Sequence, residues 1–236
     1  MDFPMRLNKY LAHQGLASRR EADVLIAAGK VKINGKRAML GYQVNEGDTV
    51  EVTGKTKEKV YLAYYKGRGI ITHSPEEGET DITTRLAKDY QITNVYPVGR
   101  LDKDSEGLIL LTNDGRLTGP LLDPASGNEK EYEVTVDKPI NGWFLKHMAE
   151  GVRIERYTTK PAAVEPVGTT KLKFRITLTE GKKHQIRRMC AALGYQVMNL
   201  RRVRIMNIEI GKLKPNQYRK LTGMEIHELF TTLHVL

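Results

Sequence analysis

Cysteine is nearly absent from this sequence, with Cys190 the single one. That excludes an intramolecular disulfide and a multi-cysteine metal site. Long apolar runs are missing as well. None approaches the roughly 18 residues that a membrane-spanning helix needs, so no membrane partner is expected. The opening stretch MDFPMRLNKYLAHQG has no apolar core of the kind that drives secretion. The expected location is therefore the cytoplasm. There is no internal repeat and no low-complexity tract. Acidic residues are missing from one long segment, between Gly181 and Ile208.

What is present is 236 residues, 40% of them apolar, with a net charge of +10. The length suits one small and one medium domain, and a monomer is the default. A charge this positive points to an anionic partner, of which nucleic acid is the usual one. A merely soluble basic protein is the alternative. Lys182, Lys183, Arg187, Arg188, Arg201, Arg202 and Arg204 all fall in the acid-free segment. Clustered in this way they resemble a polyanion footprint.

Residues 1–54 read as a separate unit. Leu7, Leu11, Val24, Leu25 and Ile26 are spaced for two short amphipathic helices. Ser18 and Glu21 form a capping-box signature for the second helix, and Gly29 marks its end. Val31 and Ile33 then lead into Asn34-Gly35, a type I′ hairpin signal. Lys55 to Lys59 is a polar linker. From residue 60 to 236 the pattern is longer and mixed. Strands are expected at 60–65, 95–98, 107–112, 130–136, 163–167, 172–179 and 203–210. Helices are expected near 116–122, 141–150, 184–193 and 223–232. The fold class is α+β, with a mixed, largely antiparallel sheet flanked by helices.

Two stretches carry chemistry. In the first, Arg6, Lys9, Arg19, Arg20, Lys30 and Lys36 recur along the N-terminal unit. They suit phosphate contacts, or alternatively a solvated helical face. In the second, Arg100, Asp102, Asp104 and Glu106 crowd a loop just before the apolar run 107–112. Three readings compete for it: a charged turn, an EF-hand-like cation loop that lacks its closing glutamate because Asn113 stands there, and a nucleophilic carboxylate.

The wording of these stretches is specific. R-L-N-K-Y-L, A-S-R-R-E-A-D and G-x-V-x-I-N-G-K resemble the RNA-binding module named after the fourth ribosomal protein of the small subunit. G-R-L-D-K-D-S-E-G-L-I-L-L-T-N-D-G, from Gly99 to Gly115, resembles the signature of the RsuA-like pseudouridine synthases. Glu129-Lys-Glu-Tyr132 and Glu180-Gly-Lys-Lys-His-Gln-Ile-Arg-Arg-Met189 resemble that family's tyrosine and arginine motifs. The stretches 129–140 and 201–208 are most similar to the branch of large-subunit synthase F.

The resemblance implies isomerisation of uridine to pseudouridine in large-subunit ribosomal RNA. A transfer-RNA anticodon loop and a non-catalytic role in ribosome assembly are the alternatives. It implies no cofactor and no metal. Asp102 would be the nucleophile, Arg187 would pair with it, and Tyr132 would stack on the uracil. Leu178 would floor the pocket. RNA would be met by Arg100, Leu101, Lys103, Lys182, Lys183, His184, Gln185 and Arg188, and by the basic residues of the N-terminal unit. The flipped uridine would leave a gap for Arg100 to fill, or Arg100 would bind the flanking phosphate.

Overall fold

The computed structural model describes residues 3–54 and 58–235. Three residues of the expected linker, 55–57, lie outside the described residues.

The N-terminal elements follow their local signals. Helices Leu7–His13 and Arg19–Ala27 pack together over Leu7, Leu11, Ala22 and Ile26. The Ser18 hydroxyl accepts from the Glu21 backbone N–H at 3.2 Å, and the Glu21 carboxylate accepts from the Ser18 N–H at 3.0 Å. Val24, expected on the buried face, is 68% exposed, and Ala22 takes the core position. Asn34 and Gly35 both have positive φ, as a type I′ turn requires. They join Val31–Ile33 to Lys36–Arg37 with Ile33 opposite Lys36.

The longer part is built on a nine-stranded sheet. Its path runs Ala163–Pro166, Lys173–Leu178, Lys130–Val136, Val197–Ile205, Glu106–Thr112, Tyr61–Lys66, Tyr218–Lys220. Ile208–Glu209 pairs with Val197–Ile205, and Tyr96–Val98 with Glu106–Thr112. All of these pairings are antiparallel except the central one, where Glu106–Thr112 runs parallel to Val197–Ile205. Parallel neighbours cannot be joined by a hairpin, so chain must cross over at this seam.

Each strand shows which faces it buries. Glu106–Thr112 is apolar throughout because it is covered twice. Leu108 and Leu110 meet helix Gly223–Thr232 through Leu229 and Phe230, while Ile109 and Leu111 meet helix Ile82–Tyr90 through Ile82 and Leu86. Lys130–Val136 alternates instead. Val134 and Val136 face helices Gly142–Glu150 and Gln185–Ala192 beside Phe144, Phe174, Ile176 and Met189. Glu131 and Glu133 sit on the opposite side, in ion pairs with Arg175, Arg201 and Arg204.

Strand Tyr218–Lys220 and the pair Arg153–Ile154 and Tyr157–Thr158 carry no sequence assignment, and two longer elements also differ from expectation. The strand expected at 203–210 starts earlier, at Val197, and ends at Ile205. A turn with Met206 at φ +50° then returns the chain as Ile208–Glu209. Helix Ile82–Tyr90 follows the polar loop 74–81 and carries no sequence assignment. Asp81 caps it, its carboxylate accepting from the Thr84 N–H at 2.7 Å.

Candidate active site

The loop from Gly99 to Ser105 is fixed through its backbone. The carbonyl of Arg100 accepts from the Arg202 guanidinium at 3.4 Å. That of Leu101 accepts from the Thr72 hydroxyl at 2.7 Å, and the same hydroxyl accepts from the Leu101 N–H at 3.0 Å. Asp102 accepts from the Ser105 N–H at 3.1 Å. Lys103 accepts from the Gly69 N–H at 2.9 Å and from the Lys66 ammonium at 3.3 Å. Asp104 accepts from the Arg187 guanidinium at 3.3 Å. Five consecutive carbonyls thus each have a donor, which leaves the loop little freedom.

Two of the donors are buried cations: Lys66, which sequence reasoning missed, and Arg202, which it placed in the basic footprint. Lys66, at the end of the apolar strand Tyr61–Lys66, is fully buried. Its ammonium also donates to Gly67 at 3.0 Å and Ile70 at 2.7 Å. Burial pushes it down to about 8, with Asp102, Asp104 and Glu106 pulling the other way. Arg202 is 4% exposed and donates to Leu108 at 2.7 Å as well as to Arg100. The glycine at 107 makes room for this crossing. With φ +112°, it lies where a Cβ would come within 2.2 Å of the Arg202 carbonyl oxygen.

Beside the loop opens a cleft of about 420 Å³. Arg100, Leu101, Asp102, Tyr132, Leu178, Lys182, Lys183, His184 and Gln185, all singled out in the sequence, line it. Ser105, Glu180, Gly181, Ile186 and Leu200 complete the wall. Leu178 is buried at its base, and Tyr132 is half-buried with one edge packed on the core. Asp102 is half-exposed and faces His184, with Nε2 to Oδ1 at 3.4 Å. His184 has a left-handed backbone, φ +51°, where helix Gln185–Ala192 begins, and its side chain makes no cap hydrogen bond.

Not every candidate is placed as expected. Arg187 makes no ion pair with Asp102. Its Nη2 donates to the Asp104 carbonyl and the Ser105 hydroxyl, both at 3.3 Å, and its Nη1 to the Val197 carbonyl at 3.3 Å. It therefore grips the loop that carries Asp102 from the side. Gln185 is buried in the cleft wall, accepting from the Lys182 N–H and donating to Glu180, so its amide shapes the turn. Lys103 reaches away to Glu79 at 2.7 Å. Asp104 is exposed, and Glu106 accepts from Tyr65 at 3.0 Å and Asn199 at 2.8 Å. Asp102 and Glu106 are engaged by different neighbours while the Asp104 side chain is exposed, and no cluster of metal-binding side chains occurs among the described residues.

The acid-free segment divides in two. Lys182 and Lys183 open onto the cleft and Arg188 lies just behind them. Arg201 and Arg204 instead pair with Glu133, Glu131 and Glu129, and Arg202 is buried. In the N-terminal unit Arg6, Lys9, Arg19, Arg20, Lys30 and Lys36 are all exposed. That unit meets the sheet domain where Gly15 and Ala12 touch the turn Asp114–Arg116. There the buried Asp114 carboxylate accepts from Arg116 at 2.7 Å and from the Tyr61 hydroxyl at 2.7 Å. Burial works to raise the Asp114 carboxyl, but these bonds outweigh it and hold it below its ordinary range.

Comparison with known proteins agrees with this geometry. Residues 60–192 match the family model described as RNA pseudouridylate synthase, and residues 5–50 match the S4 domain. The dual-specificity RNA pseudouridine synthase RluF of Escherichia coli K12 is 43% identical over 97% of this chain and 79% of its own. The ribosomal large subunit pseudouridine synthase B of Bacillus subtilis is 36% identical over 95% of each chain. A crystal structure of a pseudouridylate synthase superimposes with a TM-score of 0.70 at 31% identity, covering 95% of this chain and 99% of that one. With this fold, this cleft and these relatives, the chain belongs to the RNA pseudouridine synthases, the enzymes that isomerise uridine in RNA.

Proposed function

We propose that this enzyme acts on large-subunit ribosomal RNA, with Asp102 as its nucleophile. The observation that carries the assignment is the convergence of three separate sequence blocks on one cleft, holding Asp102, Tyr132 and Lys182–Gln185. The reaction breaks the bond from N1 of uracil to the ribose and rejoins the ribose to C5. The C5 proton leaves, and N1 gains one.

The half-exposed Asp102 carboxylate sits on a pinned backbone, able to attack the ring or the ribose. The Tyr132 ring offers a flat face on which a detached uracil turns in its own plane. Leu178 closes the pocket floor. Arg187 orients the loop through Asp104 and Ser105. Arg100, at the mouth, fills the gap that the flipped nucleotide leaves. Lys182, Lys183 and Arg188, with the basic residues of the N-terminal unit, hold the phosphates.

Incubating the protein with a large-subunit ribosomal RNA transcript and mapping pseudouridine tests the reading. Asp102→Asn is expected to abolish product while RNA binding persists, and undiminished product in that variant would sink the assignment. The words dual-specificity in the Escherichia coli relative's name favour a second RNA target. A transfer-RNA anticodon loop is the candidate, open to the same mapping.

The proposal also divides the chain at the polar linker. Residues 1–54 bind RNA and residues 60–236 carry the chemistry. Deleting 1–54 is expected to weaken RNA binding and flatten its salt dependence while the sheet domain stays folded. The enzyme is proposed to work in the cytoplasm as a monomer, which sedimentation tests. No helix among the described residues is long and apolar enough to cross a membrane.

A further inference from the structure

At the outer rim of the cleft a short hairpin, Arg153–Ile154 paired with Tyr157–Thr158, leans on the arginine helix. The Arg188 guanidinium carbon and the Lys182 ammonium each lie 5.8 Å from the centre of the Tyr157 ring. Two cations thus converge on one aromatic side chain immediately beside the uridine cleft, which Lys182 itself lines. The Tyr157 hydroxyl is buried and has no protein partner among the described residues. Arg188 is closed off on its outer side by Glu155, at 2.8 Å.

That closing contact is weakly held. The Glu155 side chain is 74% exposed, so its pairing with Arg188 gives little net stabilisation. Its backbone is left-handed, φ +50°, a conformation unfavourable for a glutamate. A mostly exposed carboxylate that returns little ion-pair energy is readily displaced. A phosphate group is its natural competitor for a guanidinium, because it offers the same paired oxygens with more charge.

We propose that Arg188, Lys182 and Tyr157 form a binding subsite for an RNA backbone phosphate next to the flipped uridine, and that Glu155 occupies it until RNA arrives. This rests on the reading of the cleft as the uridine site. Glu155 then acts as a selectivity element. Weak or misplaced polyanions fail to displace it, whereas a phosphate brought into register by the flipped nucleotide does.

Binding of a large-subunit ribosomal RNA transcript, measured between 50 and 300 mM salt (a range of roughly the decade over which phosphate contacts show their slope), tests this. Removing Arg188 as Arg188→Ala should lower the slope of log affinity against log salt by about 0.7 to 0.9, the value of one phosphate contact. Glu155→Gln should raise affinity about three-fold by freeing the guanidinium. The double variant should bind like Arg188→Ala alone, since without the arginine the carboxylate has nothing to block. Equal affinity of Glu155→Gln and wild type, or an unchanged slope in Arg188→Ala, would overturn the subsite. Circular dichroism of each variant confirms that fold is retained, Glu155 being exposed and Arg188 half-buried. Binding is read without turnover, so absence of pseudouridine in the wild-type reaction would count against the substrate assignment and leave this test intact.

Discussion

Replacing Lys66 with methionine removes a buried charge together with three hydrogen-bond donors, and pH separates the two losses. Burial lowers the Lys66 ammonium from an ordinary 10.5 to about 8. Between those values the unfolded chain still binds the proton that the native protein has released. Stability therefore rises with pH across that window, and the gain is lost as pH falls through 8. The whole depression corresponds to about 3 kcal/mol, of which about 2 kcal/mol develops between roughly pH 7 and 9.5. The hydroxyls of Tyr61 and Tyr64, raised by burial, pull stability down only above their ordinary 10.0, so stopping short of that keeps them silent. The donors are a separate, pH-independent matter. Without Lys66 the Lys103 carbonyl keeps its bond from Gly69, while those of Gly67 and Ile70 are orphaned at about 1–3 kcal/mol each. Urea unfolding followed by circular dichroism should show wild type gaining about 2 kcal/mol relative to Lys66→Met across that range. Parallel pH profiles for the two proteins would refute the claim that Lys66 is charged at neutral pH and buried at a cost.

Two other perturbations follow from the packing. Gly107→Ala puts a Cβ 2.2 Å from the Arg202 carbonyl at a φ of +112°, and is expected to cost more than about 3 kcal/mol in thermal unfolding. Gly119→Ala, within helix Thr118–Leu122 and with open space around it, serves as a control expected to be neutral or stabilising. Arg116→Met leaves the buried Asp114 carboxylate without its cation and should cost about 3–5 kcal/mol by denaturant titration. It should also loosen the seat of the N-terminal unit, seen as faster proteolysis between residues 54 and 58.

Much of this was legible because the signals are local. A capping box at Ser18 and Glu21 and a turn at Asn34-Gly35 need only a few adjacent residues to act, and both formed. The apolar run after Glu106 could be read as a buried strand, though not that its two faces meet different helices. What escaped was non-local. Lys66 reads as the polar end of a strand, since nothing in YLAYYK tells that the Lys103 carbonyl of a distant loop joins those of Gly67 and Ile70 to close over it. Arg201, Arg202 and Arg204 look like a basic footprint until their partners are known. Glu129, Glu131 and Glu133 lie some seventy residues earlier, across an antiparallel register that charge counting cannot see. Helix Ile82–Tyr90 did announce itself, with Asp81 as a cap and Ile82 and Leu86 one turn apart. It was lost in the polar loop before it.

The same non-local residues explain why the cleft has its chemistry at this place. In the proposed reaction, a carboxylate that meets a rotating ring needs a backbone that does not follow the ring. Asp102 is surrounded by carbonyls already engaged, two of them by cations that cannot leave without exposing charge to a low-dielectric interior. Among the described residues the side chain itself is held only by a 3.4 Å contact to His184, whose own backbone is left-handed at the cleft's edge. The loop is therefore rigid where the main chain runs and free where the carboxylate acts. Among the described residues His184 is the one group seen against Asp102, so in the proposed reaction it is the group that a bound uridine would have to move.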